Sequence, residues 1–217
     1  MTGHVSSPCP SCGHGLRAGP VPGGYARECP SCGWSQVARR EDERFHPCPA
    51  GRHWGPRGGA GILPFTVRHG RAWVLLSRRS PYVQHGGTWS CSGGAADEGE
   101  TPWHAAVREA SEEISGIEVN PAGIAGQHVW TCPARCGWSY TTFLVAVPLR
   151  AAGRLPRVRV AAGAHAWETD ELAWVPASRV HVRDLHPAFA SAWPALRERV
   201  EAVARLSARQ ARGGSGR

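Results

Sequence analysis

Apolar residues cluster in short runs divided by proline- and glycine-rich stretches. Ile62-Leu63-Pro64-Phe65-Thr66-Val67 is a mainly apolar run that opens a domain, and Ala72 to Leu76 is a second strand whose run suits burial on both faces. Tyr140 to Val147 predicts a third strand, and Leu172-Ala173-Trp174-Val175 reads as an edge strand. Between the second and third, Thr101-Pro102 opens a helix, because threonine caps free amides and proline fits the first helical position. The next glycine or proline is Gly116, so this helix is expected to run to about Ser115. Near the end of the chain Phe189, Trp193, Leu196, Val200 and Val203 recur at helical spacing. Pro194 interrupts that stripe, so the long helix is expected to start there, after a short turn from Pro187. Strands interleaved with helices indicate an α/β layering.

Composition divides the 217 residues further. Residues 39–60 mix charges with Pro47, Pro49, Pro56 and several glycines, and predict a linker. A small unit of residues 1–38 precedes it, and a domain of ordinary size, residues 61–208, follows. Residues 209–217, rich in arginine, glycine and serine, are expected to be disordered. No apolar stretch approaches the ~20 residues that span a bilayer, so no membrane association is expected. The polar start, Met1 to Pro10, lacks the apolar segment of a secretory signal, which points to the cytoplasm.

The eight cysteines fall into two sets. Cys9-Pro-Ser-Cys12-Gly and Cys29-Pro-Ser-Cys32-Gly are two copies of one knuckle, and four thiolates in paired C-x-x-C spacing suit a closed tetrahedral Zn²⁺ site. In a reducing compartment a disulfide reading competes poorly. The unit resembles a zinc ribbon, which folds because the metal replaces a hydrophobic core. Either it grips nucleic acid or another partner, or it braces the catalytic domain or a homodimer. Between the knuckles only Arg17, Arg27 and Tyr25 suit nucleic acid, which is thin for such a surface. Cys48, Cys132 and Cys136 are read as reduced thiols in a loop and in the core. The alternative is a second zinc site completed by His46 or His53. Cys91 packs and does not react, since no His and Asp pair is spaced near it.

Glu109, Glu112 and Glu113 fall at i, i+3 and i+4, crowding three carboxylates onto one face of the first helix. A hard cation such as Mg²⁺ or Mn²⁺ relieves their repulsion and leaves positions open for water and phosphate oxygens. The wider pattern is Gly94, five residues, Glu100, seven residues, then Arg108-Glu109-Ala110-Ser111-Glu112-Glu113 and Gly116-Ile117. This closely resembles the box of the Nudix hydrolases, which cleave nucleoside diphosphates linked to another group. The resemblance implies a Nudix-type α/β/α sandwich with a mixed sheet. It implies that Glu109, Glu112 and Glu113 bind the metal, with the Gly93 carbonyl as a further ligand. Glu100 and Arg108 would hold the loop against the helix. Two departures stand out. Ile114 and Ser115 both intervene before the closing glycine, where the family usually has one residue, and Ser92 replaces a common proline.

A phosphoanhydride repels nucleophiles, so a metal must neutralise its oxygens and acidify the attacking water. Glu112 or Glu113 is a candidate general base, with Glu168, Asp170 and Glu171 as rivals outside the box. The net charge of +8 is carried by arginine with lysine absent, and fits an acidic ligand without naming it. Arg78 and Arg79 are candidates to meet a phosphate chain. Trp89, Trp130, Trp138 and Tyr140 are candidates to stack on a base. The expected substrate is a soluble nucleotide or nucleotide derivative. Two alternatives are a nucleotide cap on RNA and a nucleotide-sensing regulator that does not cleave. A ribbon before such a domain is similar to the NADH pyrophosphatases, but Gly126-Gln-His-Val-Trp130 does not reproduce that subfamily's S-Q-P-W-P-F-P stretch, so NADH is not assigned.

Overall fold

The computed structural model describes residues 3–21, 24–39, 45–150, 152–162 and 168–213. Strands β1 (Gly3–Pro8), β2 (Gly15–Val21), β3 (Gly24–Glu28) and β4 (Ser35–Arg39) form an antiparallel sheet in sequence order. One cysteine knuckle lies between β1 and β2, the other between β3 and β4. Among the described residues, buried Cys9, Leu16 and Cys29, with Trp34 against them, form its apolar cluster.

Within the stretch read as a linker, β5 (Phe45–Cys48) and β6 (Gly51–Trp54) form a hairpin. Then come β7 (Gly59–Arg68), β8 (Arg71–Arg79), β9 (Trp89–Ser90) and β10 (Ser92–Ala95). Helix α1 spans Pro102–Glu113 and is followed by β11 (Ile114–Ser115). The rest comprises β12 (Ile124–Thr131), β13 (Ser139–Ala146), β14 (Arg159–Val160), β15 (Thr169–Pro176) and helix α2 (Pro187–Gly213). The main sheet runs β12-β13-β7-β8-β15, with β10 added to β7 and β9 to β8. β13 and β7 are parallel and the other pairs antiparallel, so the sheet is mixed.

Strand alternation sorts the apolar runs onto two faces. Ile62, Leu75, Phe143 and Val145 pack on Ala105, Ala106, Ala110 and Ile114 around α1. Leu63, Phe65, Val74, Leu76 and Leu144 pack on Phe189, Trp193, Leu196, Val200 and Ala204 of α2. The result is the expected α/β/α sandwich.

Two helix boundaries differ from expectation. α1 stops at Glu113, not at Ser115, because Ile114 turns extended (φ −116°, ψ 131°) and pairs with Val160. That short ladder absorbs the extra residue, and Gly116 (φ 90°) makes the turn after it. α2 begins at Pro187, a residue already fixed at a helical φ, and carries Pro194 inside it. It continues to Gly213, so the first five residues of the segment 209–217 are helical. The remaining four lie outside the described residues.

Candidate active site

The site is built where α1 crosses β7 and β10. Thr101 caps α1 by accepting a hydrogen bond from the His104 amide at 3.3 Å. Beneath the helix, Gly59-Ala60-Gly61-Ile62 pairs with Ser92-Gly93-Gly94-Ala95. Missing side chains bring the layers together. A Cβ on Gly94 would coincide with the Glu109 carboxylate, and one on Gly93 would collide with Gly61, the Ala60 carbonyl and the Tyr140 hydroxyl. Gly93 also sits at φ 154°, inside the range that side chains rarely adopt.

Arg108 organises the rim. Its guanidinium donates to Glu100 at 2.9 and 3.0 Å, to Glu109 at 2.9 Å and to the Ala95 carbonyl at 2.9 Å. Glu112 lies 3.6 Å away. Glu100 also accepts from the Asp97 amide at 2.8 Å, so the loop before α1 is tied to the helix at both ends. Arg108, first by its hydrogen bond, holds the Glu100 carboxyl below the usual range.

Glu109 and Glu113 shift the opposite way from Glu100. Burial pushes the Glu109 carboxyl up to about 7, only partly countered by Arg108. Glu113 is 7% exposed, and burial with the charges of Glu109 and Glu168 pushes it up to about 8. Its Oε2 and the Ser92 hydroxyl are both buried without a well-formed hydrogen bond, and Ser92 stands near enough to offset part of that rise. A buried carboxylate cluster with an unsatisfied oxygen fits a hard divalent cation, which takes oxygen ligands and replaces lost hydration.

The remaining candidates separate. Glu168 acts electrostatically on both Glu109 and Glu113. Asp170 and Glu171 instead pair with Arg78, at 2.6 and 3.2 Å. Arg78 and Arg79 are adjacent in one strand and face opposite ways. Arg79 donates to the Gln84 carbonyl at 2.9 Å and eases the charge of Glu113. Sequence reasoning missed His85 and His186 beside it, whose rings meet edge to face at 4.7 Å. Burial, then Arg79 and His85, push His186 down to about 4. A hundred residues of intervening chain left no local signal for this pair.

Tyr140 stands against Gly59, Gly61 and Gly93, and burial first, then the acidic groups near it, Glu109 and Glu113 among them, push its hydroxyl up. Trp138 stacks beside it at 6.3 Å, and Trp130 meets Trp138 edge-on at 5.8 Å. Trp89 is corrected to core: it is 5% exposed, in the α2 cluster, under the Arg183 guanidinium at 4.7 Å. Cys91 packs, as expected, its thiol pushed up to about 12 by burial.

Both cysteine sets are gathered. Cys9, Cys12, Cys29 and Cys32 place their sulfurs within 4.8 Å of one another, and Cys48, His53, Cys132 and Cys136 do the same with their ligand atoms. All eight cysteines are free thiols. Among the described residues no helix is long and apolar enough to cross a membrane.

Three carboxylates on one helix face thus lie over a glycine-rich strand pair in an α/β/α sandwich. The NUDIX domain model matches residues 55–197, and the chain belongs to the Nudix hydrolase family. It is 34% identical over 177 residues to "Putative 8-oxo-dGTP diphosphatase 3" of Mycobacterium tuberculosis, covering 77% of this chain and 76% of that one. It is 32% identical over 165 residues to a nucleoside triphosphate pyrophosphatase/Nudix hydrolase fusion protein of Bifidobacterium longum, covering 72% of this chain and 31% of that protein. Among solved structures, the Nudix hydrolase RenU of M. smegmatis superposes with a TM-score of 0.58 at 30% identity, over 75% of this chain and 99% of that one.

Proposed function

We propose that this chain hydrolyses a nucleoside triphosphate, canonical or oxidised at the base, to the monophosphate and pyrophosphate. The observation that carries this is buried Glu113, whose Oε2 lacks a well-formed hydrogen bond, beside partly buried Glu109, a site suited to a divalent ion and a polyphosphate. Similarity to the M. tuberculosis diphosphatase supports the substrate class. Glu109, Glu112, Glu113 and the Gly93 carbonyl would hold Mg²⁺ or Mn²⁺. Bound there, the ion neutralises phosphate oxygens and acidifies water. Arg108 fixes the carboxylates by bridging Glu100 and Glu109. Glu168 accepts the proton of the attacking water, because its charge reaches both Glu109 and Glu113. Arg79 meets the phosphate chain on the same side. Tyr140, Trp138 and Trp130 form the wall against which the base stacks.

The ribbon holds Zn²⁺ through Cys9, Cys12, Cys29 and Cys32. The Cys9–Cys32 and Cys12–Cys29 sulfur pairs, 3.6 and 3.5 Å apart, support it, being close to the ~3.8 Å edge of a tetrahedral ZnS₄ site. Free thiols and this zinc suit a reducing, cytoplasmic setting.

The test is product release from canonical and oxidised (d)NTPs, ADP-ribose, NADH, sugar nucleotides and dinucleoside polyphosphates, with Mg²⁺ or Mn²⁺, beside Glu112→Gln. Turnover of a triphosphate that is absent in Glu112→Gln supports the proposal. Turnover confined to another member overturns the substrate class. Silence across the panel, with Mn²⁺ binding demonstrated, overturns catalysis on free nucleotides and favours a sensing or RNA-cap role.

A further inference from the structure

We propose that Cys48, His53, Cys132 and Cys136 form a second tetrahedral Zn²⁺ site, which clamps the β5–β6 hairpin onto the β12–β13 turn. Their ligand atoms lie within 4.8 Å of one another, although Cys48 and Cys132 are 84 residues apart in sequence. The Cys48 and Cys132 sulfurs stand 3.5 Å apart without a bond between them. That is a short approach for two thiols and about the edge of a tetrahedral zinc–sulfur site.

The ribbon supplies an internal standard. In its knuckles the Cys9 amide donates to the His14 carbonyl at 2.7 Å and the Cys29 amide to that of Trp34 at 2.7 Å. A glycine at φ 75° or 74° follows each second cysteine. Cys132-Pro-Ala-Arg-Cys136-Gly137 repeats this form with one residue added. The Cys132 amide donates to the Trp138 carbonyl at 3.1 Å, and Gly137 lies at φ 86°. The added residue is accommodated by Arg135 at φ 53°, a left-handed conformation rare for arginine. Such local strain persists where something external holds it, and ligands on both sides of Arg135 would do so. On the opposing hairpin, the Ala50 amide donates to the Cys48 sulfur at 3.4 Å, the kind of contact that stabilises a metal-bound thiolate.

Histidine identity is settled by hydrogen bonding. Both ring nitrogens of His46 are engaged by carbonyls, Nδ1 with Pro56 at 3.0 Å and Nε2 with Cys136 at 2.8 Å. Directly across the hairpin, His53 has a buried Nε2 with no hydrogen-bond partner. An orphaned imidazole nitrogen beside three sulfurs is what a missing fourth bond looks like. Three thiolates and one imidazole leave the site with a net charge of −1, and His46 hydrogen-bonds the carbonyl of one ligand residue.

The clamp also fixes aromatic rings. His53 stacks on Trp138 at 4.7 Å, Trp138 donates to the Gly55 carbonyl at 2.8 Å, and the row continues to Tyr140. The hairpin is thereby joined to the wall beside the glutamate cluster. This second role rests on the nucleotide reading above; the metal site does not.

Zinc content of the full-length protein, purified without chelator, decides the matter without any turnover assay. Two Zn²⁺ per chain are expected, falling to one in Cys132→Ser and to one in Cys9→Ser, with His53→Gln weakening retention against a competing chelator. In the unmutated folded protein, Cys48, Cys132 and Cys136 should resist alkylation until the zinc is stripped. Cobalt exchanged into Cys9→Ser should give the absorption of a tetrahedral three-sulfur, one-nitrogen site. One zinc per chain, with these three thiols freely alkylated or Cys48 and Cys132 joined as a disulfide, would overturn the proposal.

Discussion

Glu113→Gln removes one buried charge while keeping the side chain's shape, and so separates the stability of this site from its use. Without divalent metal, Glu113 titrates near 8 in place of its ordinary 4.5, chiefly through burial. A folded-state value raised above the unfolded one contributes stability that is fully present below about pH 4.5. That stability is lost as pH climbs through about 8. At about 1.36 kcal/mol per pH unit the full loss is ~5 kcal/mol, a large part of the ~5–15 kcal/mol that holds a domain together. Glutamine does not titrate, so the variant keeps only the shallower slope from Glu109, whose carboxyl rises to about 7.

Urea unfolding, followed by tryptophan fluorescence with zinc retained and Mg²⁺ and Mn²⁺ absent, measures this. At about pH 8.5 the variant should exceed the parent by ~2–5 kcal/mol, and at about pH 5 the two should agree within ~1 kcal/mol. Saturating Mn²⁺ should restore the parent alone, because a ligand that binds only the folded state stabilises it. Hydrolysis by the variant should fall by ~10²-fold or more. A parent whose stability is flat from about pH 5 to 8.5, or a variant less stable than the parent at the alkaline end, would show that Glu113 is not a desolvated charge.

Gly93→Ala adds a methyl at φ 154° against Gly61, the Ala60 carbonyl and the Tyr140 hydroxyl, and should cost ~2 kcal/mol or more; an unchanged melting temperature would refute the close β7–β10 approach. Arg108→Ala strands Glu100 and Glu109 and should destabilise by ~2–4 kcal/mol in chemical denaturation, with kcat/KM reduced in parallel. Glu168→Gln should lower kcat by ~10²-fold with KM held, whereas Asp170→Asn and Glu171→Gln should stay within about twofold in the same steady-state assay.

What was legible in the chain was what local rules write. Thr101-Pro102 sets the start of α1, and the 3.6-residue period places Glu109, Glu112 and Glu113 together, so no tertiary knowledge was needed. The end of α1 was not legible, because Ile114 leaves the helix to pair with Val160, a partner 46 residues away. The division of labour between Arg78 and Arg79 was hidden for a related reason. As neighbours they look equivalent, and only the strand's alternation and its pairing with β15 send one to Asp170 and the other towards Glu113. Likewise His46 and His53 were interchangeable until the hairpin register set them side by side and two carbonyls occupied the first.

The parts of the site that break local rules converge on one point. Gly59, Gly61, Gly93 and Gly94 are poor strand formers, yet all four lie in paired strands; Glu109 and Glu113 are acidic residues that helix packing should keep in water, yet Glu113 is buried and Glu109 partly so. Each is unfavourable alone, and together they explain each other. Bare strands let the helix settle until a carboxylate occupies the space of a missing Cβ, and the burial that results raises both acids towards neutrality. A structural helix would gain more from apolar residues at positions 109 and 113 over alanine-bearing strands, so stability alone does not account for this sequence. An ion held between the carboxylates and the Gly93 backbone, as proposed, would account for it, because it would make use of the close approach, the poorly satisfied oxygen and the concentrated negative charge at once.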